Sequence, residues 1–280
     1  MSEVTVRDAL AGAASEIAAA GCDTPRLDAE LLLAHALGVS RERLVCEGSA
    51  VVAGDALPAF HRAVRRRAGE REAVAYITGR RAFRRLQLAV DRRALIPRPE
   101  TELLVEVALA LPPGARVLDV GTGAGAVALA LKQERPDLHV TGSDVSERAL
   151  SLARENAANL GLDVRFVCAD LLGGLDEPYD GVLANLPYVA DGERSELAPE
   201  IVRHEPAGAL FAGGDGLAAI DRLLVQLKRR TPVELVALEV GAGQARRVAA
   251  RTRAAGFAAV RCERDLAGRE RVVIGQGRRR

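Results

Sequence analysis

The residues best suited to chemistry are the run Asn185, Leu186, Pro187 and Tyr188. The run follows an apolar segment, residues 179–184, that is typical of a buried strand, and in open α/β sheets ligands bind beyond the carboxyl ends of strands. The Asn185 side chain and the main-chain carbonyl of Leu186 offer two adjacent acceptors, which suit one NH2 group. Pro187 limits the backbone, and Tyr188 offers a flat wall. Taken alone, the run is also typical of an ordinary turn.

A second candidate site is a glycine-rich turn between a predicted strand, residues 116–120, and a predicted helix, residues 126–134. The turn consists of Gly121, Thr122, Gly123, Ala124 and Gly125. Such a turn brings the backbone close to a ligand at the amino end of a helix. Asp144 follows the next predicted strand at about the distance where an acid meets ribose hydroxyls.

The spacing of these glycines does not by itself separate NAD from S-adenosylmethionine. Asp119 favours the methyl donor, because a carboxylate attracts a cationic amino-acid portion and repels a pyrophosphate. A glycine turn that only packs a helix on a strand is the alternative. Asp170 and Leu171 follow another predicted strand, where a base would lie, although an aspartate there is also typical of a helix cap.

The elements that must position these residues alternate between strand and helix from residue 116 onward. This alternation predicts a Rossmann-like α/β domain with a mostly parallel sheet, over residues 95–276. Helical periodicity dominates residues 1–73, where Thr5 and Asp8 form a plausible capping pair, and predicts a small all-α domain. Residues 74–94 alternate more like a β-hairpin connector, and residues 277–280 form a basic tail that we expect to be disordered.

Arginines are concentrated between residues 62 and 93. Such a segment could contact RNA or another phosphate-rich surface, and a solvated helix face followed by a charged hairpin is the slightly better interpretation. Aromatic residues are scarce there, so base stacking is not indicated. Contact with nucleic acid therefore stays an open question.

Composition excludes several classes of protein. With 280 residues, 49% of them hydrophobic, and a net charge of +1, the chain fits a globular protein. No apolar run is long enough to cross a bilayer, and we expect a cytoplasmic location. The cysteines and histidines are widely spaced, so we predict no metal site and reduced thiols.

These motifs together resemble the HemK/PrmC family of protein-(glutamine-N5) methyltransferases, which modify peptide chain release factors. The resemblance rests on residues 96–102 (IPRPETE), residues 119–126, Asp144, the Asn185 run, and residues 205–206 followed by 214–217. It implies a class I S-adenosylmethionine-dependent methyltransferase domain behind an all-α substrate-recognition domain. It also implies an enzyme that affects translation termination.

The resemblance implies roles for individual residues. The turn at residues 121–125 would bind S-adenosylmethionine, Asp144 would hold the ribose, and Leu171 would line the adenine site. Residues 185–188 would bind the target glutamine, which lies in a Gly-Gly-Gln loop of the release factor. The family pattern is Asn-Pro-Pro-Tyr, and here Leu186 replaces the first proline; we expect Pro187 to keep the preceding residue extended.

Three alternatives stay open at this point. Asn-Leu-Pro-Tyr also resembles the motif of rRNA adenine-N6 dimethyltransferases, which bind an exocyclic NH2 as well. A methyltransferase acting on a ribosomal-protein glutamine is the second alternative. The third is a non-catalytic module that senses a nucleotide, which would apply if Leu186 makes the site unable to catalyse methyl transfer.

Overall fold

The computed structural model describes residues 4–52, 54–230 and 233–278. The helices are α1 (Val6–Ala19), α2 (Pro25–Leu37), α3 (Arg41–Cys46), α4 (Ala56–Gly69), α5 (Val74–Thr78), α6 (Glu102–Ala108), α7 (Ala126–Glu134), α8 (Glu147–Leu160), α9 (Pro199–His204), α10 (Ala218–Lys228) and α11 (Ala245–Ala254). The strands are β1 (Arg80–Phe83), β2 (Leu86–Ala89), β3 (Arg116–Val120), β4 (His139–Asp144), β5 (Arg165–Cys168), β6 (Gly181–Ala184), β7 (Leu235–Glu239), β8 (Phe257–Arg264) and β9 (Glu270–Arg278). Short 3₁₀ turns occupy Pro99–Thr101, Asp191–Glu196 and Ala207–Ala209.

The chain divides into two compact units. The first contains the residues up to Arg80 together with Ala198–His204, and the second contains Arg81–Leu197 and Glu205–Arg280. These boundaries differ from the predicted ones in two places. The helical unit extends past residue 73 through α5, and it includes α9, which lies more than a hundred residues further along the chain.

The helical unit is built from amphipathic helices whose ends carry the expected signals. α1 begins where the Thr5 hydroxyl accepts a hydrogen bond from the Asp8 amide at 3.2 Å, as the capping pair predicted. α2 begins with Pro25 and ends at Gly38, which has a φ of 66°. The inward faces of α1, α2 and α4 form one apolar core, which includes Leu10, Ile17, Leu32, Leu33 and Phe60.

Ion pairs hold α9 in the helical unit. The Arg67 guanidinium, only 6% exposed, donates from Nε to Asp28 Oδ2 and from Nη1 to Glu200 Oε1, each at 2.7 Å. The Arg71 Nη2 donates to both Glu200 oxygens, at 2.8 and 3.0 Å. Buried charges are retained in folded proteins when they are paired in this way. This pairing joins sequence-distant segments, which no periodicity in the sequence reveals.

The arginine-rich segment is only in part the solvated face that we preferred from the sequence, because Arg62, Arg65 and Arg85 are exposed but other arginines are not. Arg67 is buried, Arg84 pairs with Glu134, and Arg93 pairs with Glu155 at 2.6 Å. Each of these guanidinium groups is engaged by carboxylates of its own unit. Contact of the remaining arginines with nucleic acid stays an open question.

The second unit is organised around a β-sheet. Within the described residues, its strands lie side by side in the order β5-β4-β3-β6-β7-β9-β8. The strands from β5 to β7 are parallel neighbours, and β9 runs antiparallel to both β7 and β8. This confirms the predicted Rossmann-like, mostly parallel α/β fold. The chain leaves β3 toward β4 on one side and returns to β6 on the other, which places a topological switch point beside the carboxyl end of β3.

The core of this unit lies on both faces of the sheet. Leu118 and Val120 of β3 belong to one apolar cluster, and Val117 belongs to the cluster on the opposite face. A strand buried on both faces is expected in a parallel sheet covered by helices.

The hairpin β1–β2 is part of the core of the second unit and not a separate connector. Phe83 and Leu88 are at most 1% exposed, and they pack in the same cluster as Leu104 of α6. The apolar side chains that alternated in the sequence are thus buried against this unit. Residues 74–78, predicted to belong to the connector, form α5 instead.

The carboxyl-terminal strand is longer than predicted. β9 continues to Arg278, which pairs with Phe257 of β8, so Gly277 and Arg278 are not part of a disordered tail. Backbone pairing with β8 extends the strand beyond its apolar residues. Residues 279 and 280 of the predicted tail lie outside the described residues.

Candidate active site

A cavity of about 580 Å³ opens at the carboxyl edge of the sheet in the second unit. Cavities of this size hold small organic ligands. It brings together most of the residues that the sequence singled out, namely Asp119, Gly121, Thr122, Gly123, Ala124, Asp144, Asp170, Leu171, Asn185, Leu186 and Pro187. Gly125 and Tyr188 do not line it.

The glycine turn is fixed beneath the cavity by backbone hydrogen bonds. The amides of Gly121 and Thr122 both donate to the Ser143 carbonyl, at 2.8 and 2.9 Å. Gly121 has a φ of 73°, and a Cβ there would lie 3.1 Å from Leu186 Cδ2. Glycine is therefore required at this position both for the backbone conformation and for the close approach of the Leu186 side chain.

Gly125 has a packing role instead of the predicted role in the ligand site. A Cβ on Gly125 would lie 3.0 Å from Leu129, 3.2 Å from Ala153 and 3.3 Å from Phe166. The residue lets α7 begin close to α8 and β5. The glycine spacing is the same for both roles, which is why the sequence did not distinguish them.

Asp119 is a buried carboxylate at the end of β3. It is 2% exposed, and its Oδ2 accepts from the Thr122 hydroxyl at 2.6 Å and from the Ala128 amide at 3.2 Å. Burial raises its pKa to about 7, although both hydrogen bonds favour the ionised form. Within the described residues no hydrogen bond reaches Oδ1, so this oxygen is available to a cationic ligand in the cavity.

Asp144 stands at the end of β4 with both oxygens engaged by amides. Oδ2 accepts from Gly123 N and Oδ1 accepts from Ser146 N, each at 2.9 Å. Burial raises the pKa of this carboxyl group despite these bonds. Each carboxylate oxygen retains a second lone pair, and so the group can still accept from a pair of hydroxyls.

Asp170 and Leu171 lie at the rim and wall of the cavity, respectively. Asp170 forms an exposed ion pair with Arg222 of α10, and Arg222 also lines the cavity. Leu171 is 8% exposed and has a φ of 56°, an uncommon conformation for a residue with a side chain. Nothing in the sequence indicated this strained backbone, which directs an apolar residue into the wall.

Asn185 follows β6, and its side-chain amide group is hydrogen-bonded to the side chain of Thr101. Its Nδ2 donates to the Thr101 hydroxyl at 3.0 Å. Thr101 and Glu239 are 4% and 2% exposed. Leu186, which is 5% exposed, turns its side chain into the apolar core beside Gly121.

Tyr188 lies outside the cavity that it was expected to line. Its ring contacts the chain at Gly241, where a Cβ would lie 3.1 Å from the ring, and its carbonyl accepts from Gln244 Nε2 at 2.8 Å. Burial and the nearby Glu239 carboxylate raise the pKa of Tyr188 to about 12. Extended residues project alternately to opposite sides, so a side chain near Asn185 in sequence can face away from it.

Sequence reasoning missed Thr101 and Glu239. Thr101 was included only as part of the motif at residues 96–102, without a role of its own, and Glu239 was not singled out. A carboxylate inside the apolar strand β7 was the available signal, because an unpaired buried charge is costly and is seldom kept without a partner or a role.

Residues 4–52, 54–230 and 233–278 contain no group of three histidine, cysteine, aspartate or glutamate residues placed to hold a metal ion. Within the same ranges, no helix has the length and apolar character needed to cross a membrane.

Two family models match the chain. The model described as "Methyltransferase small domain" matches residues 99–229, and the model described as "PrmC N-terminal domain" matches residues 8–79. The two matches fall on the α/β unit and the helical unit, respectively.

Curated relatives match over nearly the whole length. A protein of Deinococcus radiodurans named "Release factor glutamine methyltransferase" is 42% identical, covering 96% of this chain and 97% of its own. A protein of the same name from Mycolicibacterium smegmatis is also 42% identical and covers 96% of both chains.

Among solved structures, a methyltransferase from Pyrococcus furiosus aligns with a TM-score of 0.52 at 19% identity, covering 70% of this chain and 90% of that chain. At that identity the structural likeness concerns the fold alone.

Proposed function

This chain belongs to the family of release factor glutamine methyltransferases, and on that premise we propose that it methylates the side-chain nitrogen of a glutamine in a peptide chain release factor. S-adenosylmethionine is the methyl donor, and the target is the glutamine of a Gly-Gly-Gln loop. The modification affects translation termination. One observation carries the proposal: Asn185 lies in the same cavity as the glycine turn, the buried Asp119 and the half-buried Asp144.

The residues around the cavity fit S-adenosylmethionine. The open Oδ1 of Asp119 suits the ammonium group of the amino-acid portion, since opposite charges attract strongly in a buried site. Asp144 suits the ribose hydroxyls. Leu171 and Asp170 offer an apolar wall and a polar contact for the adenine. When bound, this cofactor supplies an electrophilic methyl group on a positively charged sulfur.

The residues at 185–187 suit the target carboxamide. The Asn185 side-chain oxygen and the Leu186 carbonyl each accept one N–H of the glutamine NH2 group. A carboxamide nitrogen is a weak nucleophile, because its lone pair is delocalised into the carbonyl. Two acceptors orient this nitrogen and stabilise the positive charge that develops on it. No base is needed before transfer, since the nitrogen becomes acidic only as the methyl arrives.

Tyr188 shapes this site indirectly. The residue was expected to pack against the target amide, but its ring lies beside Gly241. We therefore assign it the role of holding the chain after Pro187, through its carbonyl and the Gln244 side chain. The flat wall predicted for the target has no counterpart at this position.

Two of the three alternatives differ from this proposal only in substrate, and none of the three is favoured. Curated relatives with about 40% identity over nearly the full chain carry the glutamine name, and the helical unit matches the amino-terminal domain model of the same family. An adenine in rRNA or a ribosomal-protein glutamine would also present an NH2 group. Ribosomal RNA and ribosomal protein therefore serve as control substrates when the transfer of labelled methyl is measured.

We further propose that the helical unit recognises the release factor. A small all-α unit with its own core can present a rigid surface to a protein partner. This role and the catalytic role are separable, because each unit has a core of its own.

Substitution of Asn185 tests the assignment of the site. We expect Asn185→Ala to lower methyl transfer by at least about 100-fold, because the orienting acceptor is lost. The affinity for S-adenosylmethionine should stay within about threefold, since the cofactor residues are untouched. Transfer of labelled methyl measures the first effect, and titration calorimetry measures the second.

Asn159→Ala is the matched control, because Asn159 is exposed on α8. It should leave both quantities unchanged. An Asn185→Ala enzyme with wild-type turnover would remove Asn185 from the mechanism.

A further inference from the structure

Two irregular segments of the second unit line the cavity beside the Asn185 run. The proline segment (residues 95–101) contributes Pro97, and the wall segment (residues 205–213) contributes the aromatic side chain of Phe211. Both segments are described throughout, and apart from short 3₁₀ turns neither contains a helix or a strand. Segments of this kind are mobile unless specific contacts hold them. The contacts that hold these two segments therefore decide the shape of the cavity.

Both segments are hydrogen-bonded to the chain around the Asn185 run. Thr101 Oγ1 of the proline segment accepts from Asn185 Nδ2 at 3.0 Å. At the other end of the run, the Val189 amide donates to the Leu210 carbonyl and the Ala212 amide donates to the Val189 carbonyl, each at 3.0 Å. The proline segment is thus linked to the start of the run, and the wall segment is linked to the residue that follows it.

An ion pair joins the two segments to each other. Arg98 Nη2 donates to Glu205 Oε1 at 2.6 Å, and the Ile96 amide donates to Glu205 Oε2 at 3.4 Å. The Glu205 side chain is 1% exposed and the Arg98 side chain 29%. Hydrogen bonds between charged groups are among the stronger ones, and exclusion of water strengthens them. This pair closes a ring that consists of the proline segment, residues 185–189 and the wall segment.

We propose that Arg98 and Glu205 are positioning residues, whose ion pair closes this ring and thereby holds the Asn185 run where the target carboxamide binds. The inference rests on the proposed function. Both acceptors assigned to the target NH2 group, Asn185 Oδ1 and the Leu186 carbonyl, belong to the ring. A displacement of about 1 Å in such groups can cost on the order of 100-fold in rate. Neither Arg98 nor Glu205 lines the cavity, so the pair acts through the residues that it holds.

The cofactor residues are held by bonds outside the ring. The Gly121 and Thr122 amides donate to the Ser143 carbonyl, and Asp144 Oδ2 accepts from the Gly123 amide. Opening the ring leaves these hydrogen bonds in place. Loss of the ion pair should therefore affect the target glutamine much more than S-adenosylmethionine.

Substitution of each charge tests the positioning role. In Arg98→Gln and in Glu205→Gln we expect kcat at saturating release factor to fall on the order of 30-fold, because the bound carboxamide is poorly oriented. The KM for the release factor and the affinity for S-adenosylmethionine should each stay within about threefold. Arg98→Lys keeps a positive charge at a partly exposed position and should retain more of the rate than Arg98→Gln. Transfer of labelled methyl and titration calorimetry measure these quantities.

The double variant Arg98→Gln/Glu205→Gln tests whether the two residues act together. Its kcat should lie within about threefold of the slower single variant, because the first substitution already breaks the pair. Losses that multiply in the double variant would show that the two residues act independently, and would overturn the proposal.

Glu134→Gln is the control for a purely structural effect. Glu134 Oε2 accepts from Arg84 Nη2 at 2.9 Å, the Glu134 side chain is 12% exposed, and neither residue lines the cavity. The substitution thus weakens another ion pair of the same unit without touching the ring. Its kcat should stay at the wild-type value. A loss equal to that of Glu205→Gln would mean that any weakened ion pair in this unit lowers the rate, and would also overturn the proposal.

Hydrogen exchange in the free protein separates this proposal from the proposed function. In Arg98→Gln we expect the amides of Val189 and Ala212 to exchange at least about tenfold faster, because the ring is open. The amides of Gly121 and Thr122 should keep their rates, and Glu134→Gln should change none of the four. Unchanged exchange at Val189 and Ala212 would overturn the proposal even if a release factor is methylated. A wild-type protein that methylates no release factor, although these amides respond, would instead contradict the proposed function.

Discussion

The binding role proposed for Asp119 comes at a cost to the stability of the fold. The carboxylate is buried in the second unit, and burial raises its pKa from 3.8 to about 7. Between these values the unfolded chain carries an ionised Asp119 and the folded chain a protonated one. The free energy of unfolding therefore falls as the pH rises from about 4 to about 7, and the whole penalty remains above pH 7.

Asp119→Asn should accordingly stabilise the free protein and weaken the cofactor. At pH 8 we expect a gain on the order of 2 kcal/mol in the free energy of unfolding, because a buried charge is removed while Thr122 and Ala128 keep an acceptor. Near pH 4 the gain should vanish. Affinity for S-adenosylmethionine should fall at least about tenfold at pH 8. Urea unfolding and calorimetry at both pH values measure these effects; equal stability gains at pH 4 and pH 8 would show that the charge is not responsible.

Leu186 and Tyr188 show how far reasoning about single residues reaches. The sequence indicated that Leu186 retains the carbonyl acceptor, and the structure adds that its side chain fills the space beside Gly121. Tyr188 was predicted to face the ligand, because the motif gives residue types and not directions. The bare backbone of Gly241 provides the space that its ring occupies.

At the scale of elements, the strands and the turns at their ends could be predicted, because each depends on a local pattern. Apolar runs and glycine spacing placed β3, β4 and β6, and parallel packing brings their carboxyl ends together. The hairpin was predicted to belong to a connector, and residues 199–204 were included in the α/β domain. The structure differs in both places, since burial of Phe83 and pairing of Glu200 involve partners that are distant in sequence. Thr101 belongs to the same class, because its hydroxyl accepts from Asn185, which lies far away in sequence.

Asn156 is a second polar side chain that links distant elements. It is 1% exposed on α8; its Oδ1 accepts from Ala89 N at 2.8 Å, and its Nδ2 donates to the carbonyls of Ala89 and Ala124. One amide thus connects the end of β2 to the glycine turn.

Substitution of Asn156 should loosen both elements. Asn156→Ala leaves one amide and two carbonyls unpaired, and we expect a loss of about 2 to 3 kcal/mol in the free energy of unfolding. Cofactor affinity should weaken as well, because Ala124 lines the cavity. Asn159→Ala, on the exposed side of the same helix, is the control for urea unfolding and calorimetry. Equal stability of the two variants would mean that these hydrogen bonds contribute little.

At the scale of the whole molecule, the helical unit depends on a segment that the second half of the chain supplies. Glu200 belongs to α9 and pairs with Arg67 and Arg71. A deletion up to Arg71 would remove both partners of this carboxylate. Loss of function in such a deletion would therefore not isolate substrate recognition, and a single substitution is the cleaner probe.

Glu200→Gln should destabilise the chain without touching the cavity. Two guanidinium groups lose their charged partner, and we expect a loss of about 2 kcal/mol in the free energy of unfolding at pH 7. Burial opposes ionisation of Glu200, but backbone and arginine hydrogen bonds outweigh it and lower its pKa. The stabilisation is therefore present at neutral pH and lost as the pH falls through the lowered value.

Glu196→Gln is the control, because Glu196 is exposed, and it should change stability by less than about 0.5 kcal/mol. Urea unfolding at pH 7 and in acid compares the two variants. A Glu200→Gln protein as stable as this control at pH 7 would show that α9 is held by its other contacts.

The central claim is that the cavity delivers a methyl group to a glutamine nitrogen of a release factor. The most direct measurement is the transfer of labelled methyl from S-adenosylmethionine to a purified release factor, beside the same factor with its Gly-Gly-Gln glutamine changed to alanine. Ribosomal RNA and ribosomal protein are offered in parallel. We predict that only the release factor that retains its Gly-Gly-Gln glutamine becomes labelled. Label on both factors, or on neither with transfer to ribosomal RNA or ribosomal protein, would contradict the account.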